Sequence, residues 1–216
     1  MMKEILRTIL TLLAVLGLFA LIIGVIVLLF TSRFATGAKP VIYLYPQETT
    51  EVSVKVEVEG KFTSTYPNYN DGWTVTAQPD GTLTDGLGRE YYCLFWEALL
   101  PATEMDFDEG WCVKGEDTAA FLEEMLREIG LTDKEANEFI IYWLPRMEHN
   151  AYNLISFQTE AYEDVAQLIV TPQPDSMLRV FMTWKPVAKP VELEPQTIAP
   201  FVREGFTVVE WGGMEK

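Results

Sequence analysis

Glu97 and Glu210 are the two acids whose surroundings suit proton-transfer chemistry. Leu94-Phe95-Trp96 precede Glu97 and Ala98-Leu99-Leu100 follow it. A carboxyl desolvated by such neighbours has a raised pKa, which a general acid needs. Glu210 stands between Val209 and Trp211, next to Gly212-Gly213. Together they would form the carboxylate pair that glycoside cleavage requires. Strand alternation offers a plainer account, in which either side chain turns to solvent or towards an arginine. A carboxylate-dependent hydrolase acting on cell-wall or glycan substrates is therefore the alternative reading, and a binding domain without catalysis is the leading one.

Other chemistries are poorly served. His149 is the one histidine of the sequence and would have to be the base of any Ser-His or Cys-His pair. It lies in Arg146-Met147-Glu148-His149-Asn150, a polar stretch that reads as surface loop. No G-x-S-x-G elbow and no G-x-x-x-x-G-K-[ST] phosphate cradle occur. Cys93 and Cys112 are the only thiols, an even number that would suit one disulfide in an oxidising compartment; the competing reading is two free thiols, Cys93 being set in an apolar run.

Cation and ligand sites have weak candidates. Glu104, Asp106 and Asp108 alternate in a loop, but Glu109 intervenes where the calcium-loop pattern wants its Gly. That loop reads as plain surface, with calcium the one cation it would suit. Tyr69 and Trp73 flank the turn Asn70-Asp71-Gly72 and are the aromatics expected to be accessible to a ligand such as a wall sugar.

The formal charge of −16 excludes a broad electrostatic grip on nucleic acid. Such a surface suits solubility.

These residues need elements to position them. In Glu51-Val52-Ser53-Val54-Lys55-Val56-Glu57-Val58-Glu59 every second residue is Val, the pattern of a half-buried strand. Further strands are predicted over Val41–Tyr45, Lys61–Tyr66, Trp73–Gln78, Arg89–Trp96, Tyr152–Gln158, Leu168–Thr171, Met177–Trp184, Val191–Glu194 and Phe206–Trp211. The period changes where Phe121, Leu122, Met125, Leu126 and Ile129 share one helical face, a helix that Asp117 or Thr118 can cap and Gly130 can end. Thr132 with Glu135 announces a second helix by the capping-box pattern. That helix is expected to stop near Glu138, because Phe139–Leu144 is rich in Ile and aromatics and meets Pro145. Strands, helices and strands again, without regular alternation, predict an α+β domain with a largely antiparallel sheet and about two helices.

Ahead of that domain, Ile9 to Phe30 contains no charge. As a helix it would reach about 33 Å, enough to cross a hydrocarbon core of about 30 Å. The expectation is a single-pass anchor over residues 9–30 embedded in the lipid bilayer, with residues 1–35 as tip and anchor and 36–216 as one extracytoplasmic domain at the cell membrane. A cleaved secretory signal is the rival, but its apolar region is usually shorter.

Several strings carry a resemblance: Lys39-Pro40-Val41-Ile42-Tyr43-Leu44-Tyr45-Pro46, Asn70-Asp71-Gly72-Trp73, Leu94-Phe95-Trp96-Glu97, Tyr142-Trp143-Leu144-Pro145 and Gly205-Phe206-Thr207-Val208-Val209-Glu210-Trp211-Gly212-Gly213. As a set they resemble an uncharacterised bacterial family of secreted or anchored proteins. The resemblance implies a single extracytoplasmic envelope domain and transfers no catalytic residue. The expected partner is a wall glycan or another envelope protein.

Overall fold

The computed structural model describes residues 3, 7, 12–13, 15–24, 34–101 and 105–216. They fall into two units, Met1–Phe34 and Ala35–Lys216. In the first, residues 15–24 are the longest unbroken described helical run. Among the described residues no helix is long and apolar enough to cross a membrane. This finding overturns the expected anchor, and with it the single-pass cell-membrane placement. Residues 9–11, 14 and 25–30 of the expected span lie outside the described residues.

Strand well outweighs helix among the described residues, so the expected α+β class is corrected to mainly β. Two sheets account for this. The larger has seven strands: β1 (Phe34–Tyr45), β3 (Lys61–Tyr66), β7 (Leu94–Pro101), β8 (Trp111–Lys114), β9 (Tyr152–Phe157), β11 (Ser176–Val187) and β12 (Thr207–Glu215). Their order is β3-β7-β1-β12-β11-β9-β8. The smaller is built from β2 (Thr50–Val58), β4 (Trp73–Ala77), β5 (Leu83–Thr84), β6 (Glu90–Tyr91) and β10 (Ala166–Thr171), in the order β10-β2-β4-β5-β6. The pairs β1–β12, β2–β4, β2–β10, β3–β7, β4–β5, β5–β6, β8–β9 and β9–β11 are antiparallel, and β11 runs parallel to β12.

Side-chain alternation explains how the layers meet. On β2, Val52, Val54 and Val56 are buried while Ser53, Lys55 and Glu57 are exposed. That buried face joins Ile42 and Leu44 of β1, Trp96 and Ala98 of β7, and Phe181 of β11 in a core between the two sheets. The intervening residues of the large sheet, including Val41, Tyr43, Val180, Val209 and Trp211, enter a second core on its other face. Helices α1 (Thr118–Ile129) and α2 (Asp133–Met147) cover that face through Leu122, Leu126, Phe139 and Trp143. The large sheet is thus buried on both sides, which is why β1 and β12 read as near-continuous apolar runs. A third helix, α3 (Thr159–Val165), contributes Tyr162 and Val165 to the inter-sheet core.

Beyond the unexpected strands Leu83–Thr84 and Trp111–Lys114 and the division of the expected Arg89–Trp96 strand into β6 and β7, two segments depart in type from the sequence reading. Phe139–Leu144 is helical and α2 runs on to Met147 with Pro145 inside it. Phe139, Trp143 and Met147, four residues apart, pack on the sheet. Proline removes the N–H that would bond the Ile141 carbonyl, and Ile141 is an exposed residue, so water can serve its carbonyl. Val191–Glu194 is not a strand; only Glu194 makes an isolated bridge, to Glu109. Pro190 and Pro195 withhold the N–H groups a ladder would use.

Candidate functional site

The cleft that concentrates accessible aromatic surface lies at the β1–β7 side of the large sheet. Neighbouring strands β1 and β7 supply Lys39, Val41, Phe95 and Glu97 from their helix-facing sides, and α2 adds Tyr142. Tyr66 at the end of β3 and the stretch Glu90-Tyr91-Tyr92-Cys93 complete a concavity of about 540 Å³.

Lys39 occupies an unusual backbone position. The register of β1 against β12 shifts between Ala38 and Val41, and Lys39 adopts φ 50°. A bulge of this kind re-aims a side chain. The Lys39 N–H donates to Glu97 Oε1 at 3.2 Å. Its ammonium lies 5.0 Å from the Tyr142 ring centre and 5.5 Å from that of Trp211, within cation–π range. On Tyr142, Arg146 also stacks, at 4.2 Å.

The walls are fixed from behind. Tyr66 meets Tyr91 edge to face at 5.6 Å, and the Tyr91 hydroxyl donates to Asp85 at 3.0 Å. Asp85 also accepts from the N–H groups of Leu87 and Arg89 and from the Arg89 guanidinium. Those bonds, the Arg89 N–H foremost, hold its carboxyl well below the usual carboxylate range. Beneath the cleft the Tyr43 hydroxyl donates to Glu138 at 2.6 Å and accepts from the Trp211 indole at 3.2 Å. Burial and then the Glu138 charge push the Cys93 thiol up to about 12. It is protonated at neutral pH and is no nucleophile.

Glu210 stands elsewhere. It is wholly buried on the inter-sheet face, accepting from Arg179 Nε at 2.7 Å and from the Trp96 indole at 2.9 Å. Glu97, one residue on from Trp96, points to the opposite face of the same sheet. The two acids are therefore not brought together as a pair. Glu210 is committed to an arginine, and the Arg179 Nη1 bonds the Ala166 carbonyl at 2.7 Å.

The aromatics flanking the Asn-Asp-Gly turn face inward. Trp73 is 4% exposed and its indole donates to the Pro67 carbonyl. Half-buried Tyr69 bonds both the N–H and the carbonyl of Val56 through its hydroxyl. In the acidic loop, Asp106 pairs with Lys216 at 2.9 Å and Asp108 is exposed, whereas Glu104 lies outside the described residues. Among the described residues no group of three or more metal-ligating side chains occurs. Both cysteines are free. Cys93 precedes β7 and Cys112 lies on β8, five strand spacings apart, or about 24 Å; a disulfide needs Cα atoms within about 7 Å. The His149 side chain is exposed, and among the described residues its one charged neighbour is Glu148 at 3.8 Å.

Sequence reasoning singled out Glu97 but missed Lys39, Tyr66, Tyr92 and Tyr142. No local signal marked these residues, whose meeting depends on strand pairing and on the irregularity of β1 between Ala38 and Val41.

No family model matches the chain, and no solved structure matches it. Over 62 residues it is 48% identical to a protein of Butyrivibrio fibrisolvens described as "Uncharacterized protein in bglA 3'region". The match covers 27% of this chain and 64% of that relative, so the chain spans a little under two thirds of the relative's length.

Proposed function

We propose that this chain is a non-catalytic binding domain whose ligand occupies the tyrosine-lined cleft between β1, β7 and α2. The observation that carries this reading is the convergence of Tyr66, Tyr91, Tyr92 and Tyr142 with Lys39 and Glu97 on one concavity of about 540 Å³. That volume falls in the range of about 300–1,000 Å³ usual for small-ligand sites. Ring faces remove water from the apolar side of a ligand, and a few charged groups orient it. Tyr66 and Tyr92 are more than half exposed, so their rings have area left to bury.

Thermal unfolding of the full chain against soluble oligosaccharides and short peptides tests the reading. A ligand at a hundred times its Kd stabilises by about 2.7 kcal/mol, a shift of several degrees. Tyr66→Ala and Tyr92→Ala should lose that shift while unfolding cooperatively. If no probe moves the midpoint, the cleft is not a ligand seat of this kind.

The hydrolase reading keeps one specific observation, that Glu90 and Glu97 line the same cleft. Release of new reducing ends from an oligosaccharide, abolished in Glu97→Gln, would establish it. Persistent turnover in that variant would remove Glu97 from the chemistry.

A further inference from the structure

Lys39 is the informative residue of the cleft. The sequence holds 32 acids against 16 lysines and arginines, yet among the described residues the Lys39 ammonium has no carboxylate partner. Its contacts are the Tyr142 and Trp211 rings. A solvated surface lysine would be unremarkable without a partner, but this one is half-buried, lines the concavity and is carried there by a bulge with positive φ. Non-glycine residues seldom adopt that backbone, and it persists where surrounding structure requires it.

A second lining residue also has unused hydrogen-bonding capacity. Glu97 Oε1 accepts from the Lys39 N–H, while its Oε2 makes no hydrogen bond among the described residues. Glu90 adds another exposed carboxylate at the rim. The cleft therefore offers one ammonium and two carboxylates, along with tyrosine and phenylalanine side chains that line it too.

Ligand charge can be weighed against this arrangement. A purely anionic ligand meets Glu90 and Glu97, and a purely cationic one meets Lys39. Covering these groups with a neutral polyol would desolvate charges without supplying a counter-charge. Resting on the reading of this cleft as a ligand seat, we infer that its ligand is zwitterionic: a compound bearing a free ammonium and a free carboxylate about an apolar body, as amino acids and short peptides do. Lys39 receives the carboxylate, Glu97 receives the ammonium, and the Tyr66, Tyr92 and Phe95 rings cover the body between.

The test titrates the full chain by calorimetry with free dipeptides of apolar side chains, their N-acetyl forms, their C-terminal amides, and neutral oligosaccharides. The expected result is saturable binding of a free dipeptide, weakened at least tenfold by blocking either terminus. Lys39→Gln should weaken the free dipeptide at least tenfold and leave the amide unaffected, and Lys39→Arg should keep most of the affinity. Neutral oligosaccharides binding at least as well as any dipeptide, with Lys39→Gln without effect, would overturn the zwitterion while leaving the cleft as a ligand seat. Binding by no probe, in cooperatively folded protein, would remove the seat and the inference together.

Discussion

Arg179 and Glu210 sit directly opposite each other on the parallel strands β11 and β12 and close an ion pair with 2.7 Å between Nε and Oε2. Their side chains are 4% and 0% exposed, sealed between the two sheets. Breaking a buried pair from one side strands the other charge, at a cost of about 3–5 kcal/mol. Arg179→Met and Glu210→Leu should each lower the urea midpoint accordingly. The double variant should lose less than the sum of the two. Equal or greater loss would mean the strands do not couple through this pair.

Cleft substitutions should behave in the opposite way. Tyr66 and Tyr92 present most of their ring area to solvent, and exposed changes usually stay within about 0.5 kcal/mol. Tyr92→Ala is therefore expected to unfold within that margin of the parent while losing ligand response. A large fall in its urea midpoint would show that the ring is part of the packing.

Alkaline pH should destabilise the fold in a definite window. The Cys93 thiol is raised by burial and Glu138 from 9.0 to about 12, and burial with Glu138 also lifts Tyr43 above its usual 10.0. Between the unfolded and folded values the unfolded chain releases protons that the folded chain retains, so stability is intact below about pH 9 and falls as pH rises towards 12. Cys93→Ala should flatten the first part of that decline in urea titrations run from pH 8 to 11. An unchanged slope would remove Cys93 as its source.

Gly213 should tolerate no side chain. A Cβ there would lie 2.6 Å from the Met182 carbonyl oxygen and 2.7 Å from the Trp143 ring. Gly213→Ala should force Trp143 from its place over the sheet. Overpacking of this kind typically costs about 1–3 kcal/mol, and a shifted tryptophan emission maximum would report the displaced ring.

The legible parts of the fold were those with one wet face. Val52, Val54 and Val56 alternate with polar residues because β2 is half exposed, and the capping box of Thr132 and Glu135 is a local signal that the structure contains. Glu210 could not be assigned to a face, since β12 is buried on both sides and shows no alternation; Glu97 stands in the apolar run Leu94–Leu100 of β7, whose alternation appears in burial but not in residue type. The continuation of α2 through Ile140, Ile141 and Pro145 was hidden because tertiary packing of Phe139 and Trp143 outweighs local propensity. The cleft was illegible for a different reason: Lys39, Tyr66, Tyr92, Glu97 and Tyr142 meet only through strand order. The apolar run from Ile9 to Phe30 was read as an anchor on length and hydropathy alone, and among the described residues no helix is long and apolar enough to cross a membrane.

The place of β12 in the large sheet governs when this protein can fold. Its neighbours are β1 and β11, and the Trp211 indole bonds Tyr43, which precedes it by 168 residues. β12 is the last of these seven strands along the chain, so during synthesis the place between β1 and β11 stays empty until β12 has emerged. Until then the edges of β1 and β11 that β12 covers have no mate, the kind of unpaired edge that invites pairing with another chain.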